Sequence, residues 1–536
     1  MINSKLTRQK IKAEHQVLIA AIIFISLGLL LQFWRMQTLN SSMDQGILYQ
    51  VLWNSLNGHP FESTLSSQLS TNVQHSGEIP TIGYQRLGQH FTPLLFIWLP
   101  FIKVLGKWGL PFIQVFLIGG AGLILHQIAK RKLEPELAKI ITFSFYCANT
   151  VIGPCLGNFT DLSQLPICFF LLILGLEIRK KWMVAIAAIA IPLIREDAGV
   201  LLLGIGLWIL YKDIRRWKLS LLLILYGGAW VVLATNIFMP IFSDDSSKRF
   251  MIENFGQYLE GKSQASSLEV LGEISKQPVL IIKELFSPFD KTIKYLAGHG
   301  LPLVFIPYIS IDSWLLMGLP LLGLLLAQGN PLGINWRYTY LVVPGLFTGA
   351  VFWWEKNGRV FNSKRFKRFW SGCICLSLIF TITSNPNGTL SFISPESIDP
   401  WIYRNPLEQW EHGQIGRDLI KVIPDEATVA ANNPLIPHLA GREVLIRYPR
   451  IKYKDREGDT KFVEWIALDF YHHQRVAFAF EKRRRELEEL IQKVKSLEGL
   501  YSIQAVNDGI IIFSLGGESN PIALEKYKNL LSTALN

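Results

Sequence analysis

Apolar residues occur in blocks along roughly the first 385 positions, and polar residues separate these blocks. Each block is about 15–20 residues long, which is the length that a helix needs to cross the ~30 Å hydrocarbon core of a membrane. The pattern predicts an α-helical polytopic membrane protein with about eleven transmembrane helices. We place them at residues 16–34, 109–128, 137–156, 162–178, 182–194, 198–211, 218–239, 295–310, 313–328, 338–354 and 369–385.

One further apolar stretch, Phe91–Leu105, is short and contains Pro93 and Pro100. Basic residues cluster at the N-terminus and at 130–132, 179–181, 212–218 and 356–368. Such clusters favour the cytoplasmic side of a membrane. All five lie inside if the N-terminus is cytoplasmic and Phe91–Leu105 is an interfacial or re-entrant helix on the outer side. The tail then lies outside.

The composition changes near residue 387, where helices and short strands alternate. We predict helices at 413–422 and 481–497 and strands at 428–431, 443–446, 463–467, 501–506 and 509–514. The last two strands flank Asn507-Asp508-Gly509, which suits a hairpin turn. The sequence therefore predicts a transmembrane domain over 1–386, with outer loops 35–108 and 240–294, and a small extracytoplasmic α/β domain over 387–536.

Charge and composition restrict the partners. Charged residues make up only 18% of the chain, against about 25% in soluble proteins. The net charge is +11, but the cations form short clusters between apolar blocks, so we expect membrane lipids and no nucleic acid as partners. The five cysteines lie in or beside apolar blocks and form no C-x-x-C pair. We therefore expect neither a disulfide nor a zinc function.

The polar residues predicted on the outer face are candidates for chemistry. Asp44 opens an amphipathic stretch just after the first span, where it could act as a general base or only cap a helix. His90 lies at the entry to Phe91–Leu105 and could equally be a polar residue at the head-group level. No GxxxxGK[ST], GxSxG, HExxH or GxGxxG motif occurs in a suitable context. ATP-driven transport and serine hydrolysis therefore lack support.

The turn Arg195-Glu196-Asp197 lies between apolar runs of only 13 and 14 residues. Charges below the membrane surface are expensive and normally face a cavity or each other. Arg195 could bind a phosphate with its planar donor fork, and Glu196 and Asp197 could orient it or help to bind a metal. The structural alternative is a charged turn that pairs with itself.

A second outer segment holds Arg337 and Tyr338, at the start of the tenth predicted span. Arg337 could bind an anion, and Tyr338 suits the aromatic belt of a membrane protein. Anchoring in that belt is the alternative function. Asp161 is a weaker candidate in the same plane.

The order of these motifs is similar to that of the GT-C superfamily of membrane glycosyltransferases, which includes the protein O-mannosyltransferases and the aminoarabinose transferases of lipid A. More closely, the chain resembles a bacterial family of predicted multi-spanning membrane proteins whose function is not established. The resemblance is carried by Asp44-Gln45-Gly46, Gln50-Val51-Leu52-Trp53, Gly88-Gln89-His90-Phe91-Thr92-Pro93-Leu94-Leu95, Arg195-Glu196-Asp197-Ala198-Gly199 and residues 430–440.

This resemblance implies a GT-C-like fold in the bacterial plasma membrane and an inverting hexosyl- or pentosyltransferase. The donor would be a polyprenyl-phosphate sugar lipid, and an unknown acceptor would bind on the outer face. The resemblance implies that Asp44 is the catalytic base. It places the other candidates in substrate binding, with the two arginines on phosphate: His90, Asp161, Arg195, Glu196, Asp197, Arg337 and Tyr338. The resemblance leaves a divalent cation open. The metal stays unknown, because Gln45 stands where many relatives have Glu and Asp-x-Asp is missing.

Two other classes of function stay open. A transporter or flippase of a lipid-linked or anionic solute would use the outer charges as a gate, although the sequence lacks the two-fold repeat that is frequent in transporters. A non-catalytic envelope assembly protein would leave Asp44, Arg195 and Arg337 in separate places.

Overall fold

The computed structural model describes residues 2–243, 246–259, 261–262, 265–328 and 331–533. Small parts of the predicted 240–294 loop, of the segment 328–337 and of the 387–536 domain therefore lie outside the described residues. The chain forms two compact units. The first comprises Met1–Leu31, Leu87–Ile97 and Pro111–Pro386, and the second comprises Gln32–Arg86, Trp98–Leu110 and Asn387–Asn536.

The α-helices, numbered in chain order, are α1 (Ile2–Gln37), α2 (Met43–Leu56), α3 (Thr64–Ser67), α4 (Thr71–His75), α5 (Leu99–Leu105), α6 (Gly109–Lys132), α7 (Pro135–Cys147), α8 (Asn149–Cys155), α9 (Leu165–Glu177), α10 (Lys181–Ile194), α11 (Gly199–Lys212), α12 (Trp217–Leu233), α13 (Met239–Phe242), α14 (Ser246–Phe255), α15 (Ser267–Ser275), α16 (Pro278–Glu284), α17 (Phe289–Gly300), α18 (Ile311–Leu326), α19 (Val343–Asn357), α20 (Lys364–Ser384), α21 (Pro406–Leu419), α22 (Ile436–Leu439), α23 (Tyr471–Ala477), α24 (Glu481–Lys495) and α25 (Pro521–Thr533).

Packing in the first unit follows two rules of membrane helices. Aromatic rings fill the centre, where Phe145 of α7 makes an edge-to-face contact with Phe347 of α19 at 5.3 Å between ring centroids. Glycines allow close approach elsewhere, since a Cβ at Gly199 of α11 would lie 2.6 Å from the carbonyl oxygen of Gly227 of α12. Helices with small residues at their contacts therefore pack backbone to backbone.

Four helical segments within the described residues are long and apolar enough to cross a membrane: Gln9–Gln37, Pro93–Lys132, Ile214–Phe242 and Lys364–Ser384. Three shorter apolar helices are Lys181–Ile194, Gly199–Lys212 and Ile311–Leu326. The count of eleven spans stays a prediction. The predicted interfacial segment Phe91–Leu105 contains the 3₁₀ helix Pro93–Trp98 and helix α5. Gly106, whose φ is +55°, follows α5 and interrupts the helical backbone before α6.

The predicted helix over 295–310 is interrupted in the structure. Helix α17 ends at Gly300, and two short 3₁₀ helices, Leu301–Leu303 and Ile306–Ile309, follow. Between them Val304 and Phe305 have φ values of +55° and +59°. A continuous α-helix is not compatible with left-handed residues. The prediction of an unbroken helix is therefore wrong here.

The strands, numbered in chain order, are β1 (Ser397–Ile398), β2 (Trp401–Ile402), β3 (Val429–Ala431), β4 (Leu445–Arg447), β5 (Lys452–Lys454), β6 (Thr460–Phe462), β7 (Trp465–Asp469), β8 (Tyr501–Asn507) and β9 (Ile510–Leu515). The main sheet has the order β4-β3-β7-β9-β8, with β4, β3 and β7 parallel and the β8–β9 hairpin antiparallel. This confirms the predicted strands and the hairpin, in which Asp508 and Gly509 have φ of +45° and +76°.

Both faces of this sheet are covered. Ala430 of β3 points to the face that packs against Leu487 and Ile491 of α24. Its neighbours in β3 point the other way, where they join Met43 and Ile47 of α2. This alternation is the period of a strand. Residues of the first loop therefore contribute to one face of the core of the second unit, which the sequence did not predict.

Side chains of the first loop also cover the free edge of β4. Thr64 Oγ1 donates to the carbonyl oxygen of Leu445 at 2.8 Å and accepts from its N–H at 3.0 Å. The Gln68 amide does the same for Arg447, with both distances 2.6 Å. An edge strand without such partners is open to pairing with another chain. Two side chains thus take the place of a neighbouring strand.

Candidate functional site

His90, which is partly exposed, and the buried Glu196 form a pair in the first unit. The Nδ1 atom of His90 lies 2.9 Å from Oε1 of Glu196, and Glu196 Oε2 accepts the backbone N–H of Phe91 at 2.9 Å. Glu196 is 6% exposed. A carboxylate only accepts hydrogen bonds, so Nδ1 carries the proton and Nε2 is the basic ring nitrogen. The pair therefore has the arrangement of a histidine whose tautomer is fixed by a carboxylate.

Arg195 forms its side-chain hydrogen bonds with Asp197. Its Nε donates to Asp197 Oδ1 at 2.8 Å, and its Nη2 donates to Asp197 Oδ2. The self-paired turn that the sequence left open is thus present for these two residues, whereas Glu196 between them bonds to His90 instead. A guanidinium has five N–H groups. Two of them donate to Asp197, which leaves the others to face a further anion.

Both predicted arginines lie against one aromatic ring. The guanidinium carbon of Arg195 is 5.4 Å from the ring centroid of Tyr338, and that of Arg337 is 5.5 Å from it. Cations within about 6 Å of a ring face are attracted to it. The structure therefore brings Arg195, Arg337 and Tyr338 together, as the sequence predicted only from their shared side of the membrane.

Asp161 adds a buried carboxylate to the same group. It is 5% exposed and interacts electrostatically with Arg195. The Thr160 hydroxyl donates to Asp161 Oδ1 at 3.0 Å. Asp161 Oδ2 is buried and has no hydrogen-bond partner among the described residues. A buried carboxylate oxygen without a partner is costly, so it is suited to accept a hydroxyl of a bound molecule.

Short secondary structures hold these side chains. Helices α10 and α11 have 14 residues each, about 21 Å at 1.5 Å per residue. The turn between them carries Arg195 to Asp197. The 3₁₀ helix Arg337–Leu341 is fixed by the hydroxyl of Thr339, which donates to the carbonyl oxygen of Thr150 at 2.8 Å. A hydrogen bond to α8 thus holds the backbone of this 3₁₀ helix in position.

Gln114 was missed by the sequence analysis. It is fully buried in α6, its Nε2 donates to the carbonyl oxygens of Pro154 and Cys155 at 3.1 and 3.0 Å, and its Oε1 accepts the N–H of Thr160 at 2.9 Å. It therefore organises the turn that presents Asp161. The signal was available, since a lone amide within an apolar run is by default a functional candidate.

Asp44 belongs to the second unit. It lies exposed in the first turn of α2, whose N-cap is Ser42, so the alternative that Asp44 is the helix N-cap is wrong. Arg35, at the end of α1, interacts electrostatically with it. Among the described residues, no group of three His, Cys, Asp or Glu side chains is arranged to hold a metal ion.

A cavity of about 190 Å³ lies elsewhere in the first unit, among the C-terminal ends of α6, α9, α11 and α19. Its ammonium groups are paired, since Lys132 lies 2.7 Å from Glu177 and Lys212 lies 2.7 Å from Asp312. This cavity contains none of the predicted site residues. The ion pairs connect the ends of neighbouring helices.

Comparisons with known proteins show the family of the chain and similar solved structures. A family model described as "Predicted membrane protein (DUF2079)" matches residues 34–512. No curated protein matches the chain. The fold is similar, with a TM-score of 0.47 and 10% identity, to the crystal structure of ArnT from Cupriavidus metallidurans bound to undecaprenyl phosphate; the match covers 93% of this chain and 99% of that one. The family match confirms the resemblance to predicted multi-spanning membrane proteins.

Proposed function

Since the chain belongs to this family of predicted membrane proteins, we propose that it is a GT-C-type glycosyltransferase. It would move a sugar from a polyprenyl-phosphate-linked donor to an acceptor on the outer face of the bacterial plasma membrane. The proposal is supported by the order of motifs along the chain. It is also supported by the basic clusters, which favour a cytoplasmic N-terminus and an extracytoplasmic tail.

The observation that carries the proposal is the approach of Arg195 and Arg337 to the ring of Tyr338, at 5.4 and 5.5 Å. When a glycosyl bond to phosphate breaks, negative charge grows on the departing lipid phosphate. Fixed guanidinium groups stabilise that charge more in the transition state than in the ground state. A lipid-phosphate donor carries its own activation, which agrees with a sequence that lacks nucleotide-binding motifs.

The pair of His90 and Glu196 supplies a base. Glu196 fixes the imidazole with Nδ1 protonated and stabilises the imidazolium that forms when Nε2 takes a proton. We therefore assign proton removal to His90, where the resemblance implies Asp44. We propose that Asp44 binds the acceptor instead.

The reaction is a single displacement. The acceptor hydroxyl oxygen bonds to the anomeric carbon, its proton passes to His90 Nε2, and the bond from the anomeric carbon to the phosphate oxygen breaks. The bonding electron pair leaves with the lipid phosphate, which is held by Arg195 and Arg337, and the anomeric configuration inverts. Asp161 Oδ2 accepts a hydroxyl of the sugar.

Binding of undecaprenyl phosphate to the full-length protein in nanodiscs tests the phosphate site. We expect Arg195→Gln and Arg337→Gln each to weaken binding by about tenfold or more, because each removes a charge-assisted hydrogen bond. Arg215→Gln, at an exposed position in the turn between α11 and α12, is the matched control. Equal affinity in all four proteins would remove the phosphate site.

Transfer itself is tested with labelled polyprenyl-phosphate hexose and pentose donors in membranes that contain the protein. We expect label to leave the donor with release of polyprenyl phosphate, and His90→Gln to stop this while binding of undecaprenyl phosphate persists. Release that proceeds equally without the protein would refute the proposed activity.

A further inference from the structure

A group of three cations in the second unit is in contact with neutral groups. Several other arginines of the tail pair with carboxylates, namely Arg404 with Glu396, Arg456 with Glu443 and Arg475 with Glu408. Arg417 and Arg442 instead donate to backbone carbonyl groups. Among the described residues, Arg447, Arg450 and Lys452 form no ion pair with a carboxylate; their contacts are with neutral groups. The three follow one another from the end of β4 to the start of β5, and we call them the basic strip.

The first loop fixes the arginines of the basic strip. The backbone of Arg447 is bonded on both sides to the Gln68 amide, and its Nη1 lies 3.9 Å from the Met43 sulfur. Arg450 Nη2 donates to the carbonyl oxygen of Val73 at 3.1 Å. Burial and the charge of Arg447 both lower the pKa of Arg450, so the two guanidinium groups repel each other.

An anion relieves this repulsion, and its kind follows from the geometry. Guanidinium groups held in place recognise discrete phosphate or carboxylate groups through two parallel hydrogen bonds. A lipid surface is instead usually met by mobile basic clusters beside apolar side chains. The contact of Arg447 with Met43 also places the basic strip beside the residue that precedes Asp44.

We propose that the basic strip binds the acceptor and that the acceptor carries phosphate or carboxylate groups. This inference rests on the proposed transferase function and adds the chemical class of the acceptor. It also assigns a role to the tail, which presents the strip while the first loop holds its arginines in position.

The test uses full-length protein in nanodiscs of neutral phosphatidylcholine and a fluorescein-labelled poly(glycerol phosphate) oligomer, followed by anisotropy at low and high salt. We expect binding that weakens with salt, and Arg447→Gln/Arg450→Gln to weaken it by about tenfold or more. Arg484→Gln/Arg485→Gln is the matched control, because both arginines are exposed on α24 and already paired with glutamates. A neutral dextran oligomer is expected not to bind.

Binding of undecaprenyl phosphate in the same preparations separates the two proposals. It is expected to persist in Arg447→Gln/Arg450→Gln and to fall in Arg195→Gln. If both double variants bind the poly(glycerol phosphate) probe as the wild type does, or if the wild type does not bind it, the basic strip has no such ligand, whatever the donor result. Binding of the strip to anionic vesicles but not to the probe would likewise overturn the assignment in favour of a membrane surface.

Discussion

Glu196 holds His90 through a 2.9 Å contact between Oε1 and Nδ1, although the two residues are 106 positions apart in the chain. The same carboxylate accepts the N–H of Phe91, so its two oxygens bond to two consecutive residues. Arg195, the neighbour of Glu196, faces Tyr338. One turn therefore joins a candidate base to a candidate phosphate site.

Glu196→Gln keeps the shape of the side chain but removes the charge that stabilises a protonated His90. We expect the rate of sugar transfer to fall by about 10²–10³-fold, within the range of general base catalysis. Binding of undecaprenyl phosphate is expected to stay within about twofold of the wild type, since the arginines are untouched. The measurement is transfer from labelled donor, with the exposed Glu457→Gln as control. Full activity in Glu196→Gln would exclude the pair from catalysis.

Gln114→Leu should disturb the turn that presents Asp161. Leucine fills a similar volume but leaves the N–H of Thr160 and the carbonyl oxygens of Pro154 and Cys155 without their partner. Each buried polar group left unpaired costs about 1–3 kcal/mol. We expect a lower midpoint of thermal unfolding for the protein in detergent and a loss of transfer. Gln127→Leu, on the same helix, should change neither, and an unaltered Gln114→Leu protein would contradict the assigned role.

The edge of β4 gives a prediction about the second unit. Thr64→Val is close to isosteric and removes the hydroxyl that bonds both backbone groups of Leu445. The expected cost is about 1–3 kcal/mol, because two buried backbone groups lose their partner. Hydrogen exchange of the β3 and β4 amides in the full-length protein measures it. Thr71→Val, in the same loop, is the control, and equal exchange in both variants would show that the edge needs no cover.

His412 makes the stability of the tail depend on pH. Its Nε2 lies 3.2 Å from Asp469 and its Nδ1 lies 2.9 Å from Asp508. Burial alone would lower the pKa of His412, but the hydrogen bonds and charges of the two aspartates outweigh it and raise the pKa above 6.5. The folded tail thus binds this proton more tightly than the unfolded chain.

The contribution is therefore complete below about pH 6.5 and is lost as the pH rises through the raised pKa. In the full-length protein, we expect protection of the β9 amides, corrected for intrinsic exchange, to fall as the pH rises above about 6.5. His412→Gln should lower the protection at pH 6 and flatten the decline. An identical pH profile in the variant would show that His412 does not carry the effect.

Sequence reasoning recovered features that depend on neighbours in the chain. The strands β3, β7, β8 and β9 and the turn at Asp508 and Gly509 follow from local alternation and turn chemistry. Arg195 and Glu196 were recognised because charge is expensive near a membrane. His90 and Arg337 were recognised from their positions on the predicted outer face. The contact between His90 and Glu196 was not predicted, because no local sequence pattern indicates a contact between residues 106 positions apart.

Contacts between residues that are farther apart in the sequence were also not predicted. Thr64 and Gln68 read as ordinary polar loop residues, and their partners in β4 lie about 380 positions away. The first loop was therefore predicted as part of the membrane domain, whereas most of it, apart from Leu87–Ile97, belongs to the same compact unit as the tail. Likewise, the break between the 3₁₀ helices at Val304 and Phe305 depends on left-handed residues that composition does not disclose.

The cover of β4 by Thr64 and Gln68 has a consequence for biogenesis. The first loop is synthesised early, and β4 is synthesised only after all the membrane helices of the first unit. For most of translation the loop therefore lacks the strand whose edge it covers. A chain that terminates early, or that loses its tail to a protease, would expose Met43, Ile47 and Leu65 of the loop, which are buried in the complete unit. An exposed apolar surface on the first loop thus distinguishes a chain without β4 and offers a site to proteases.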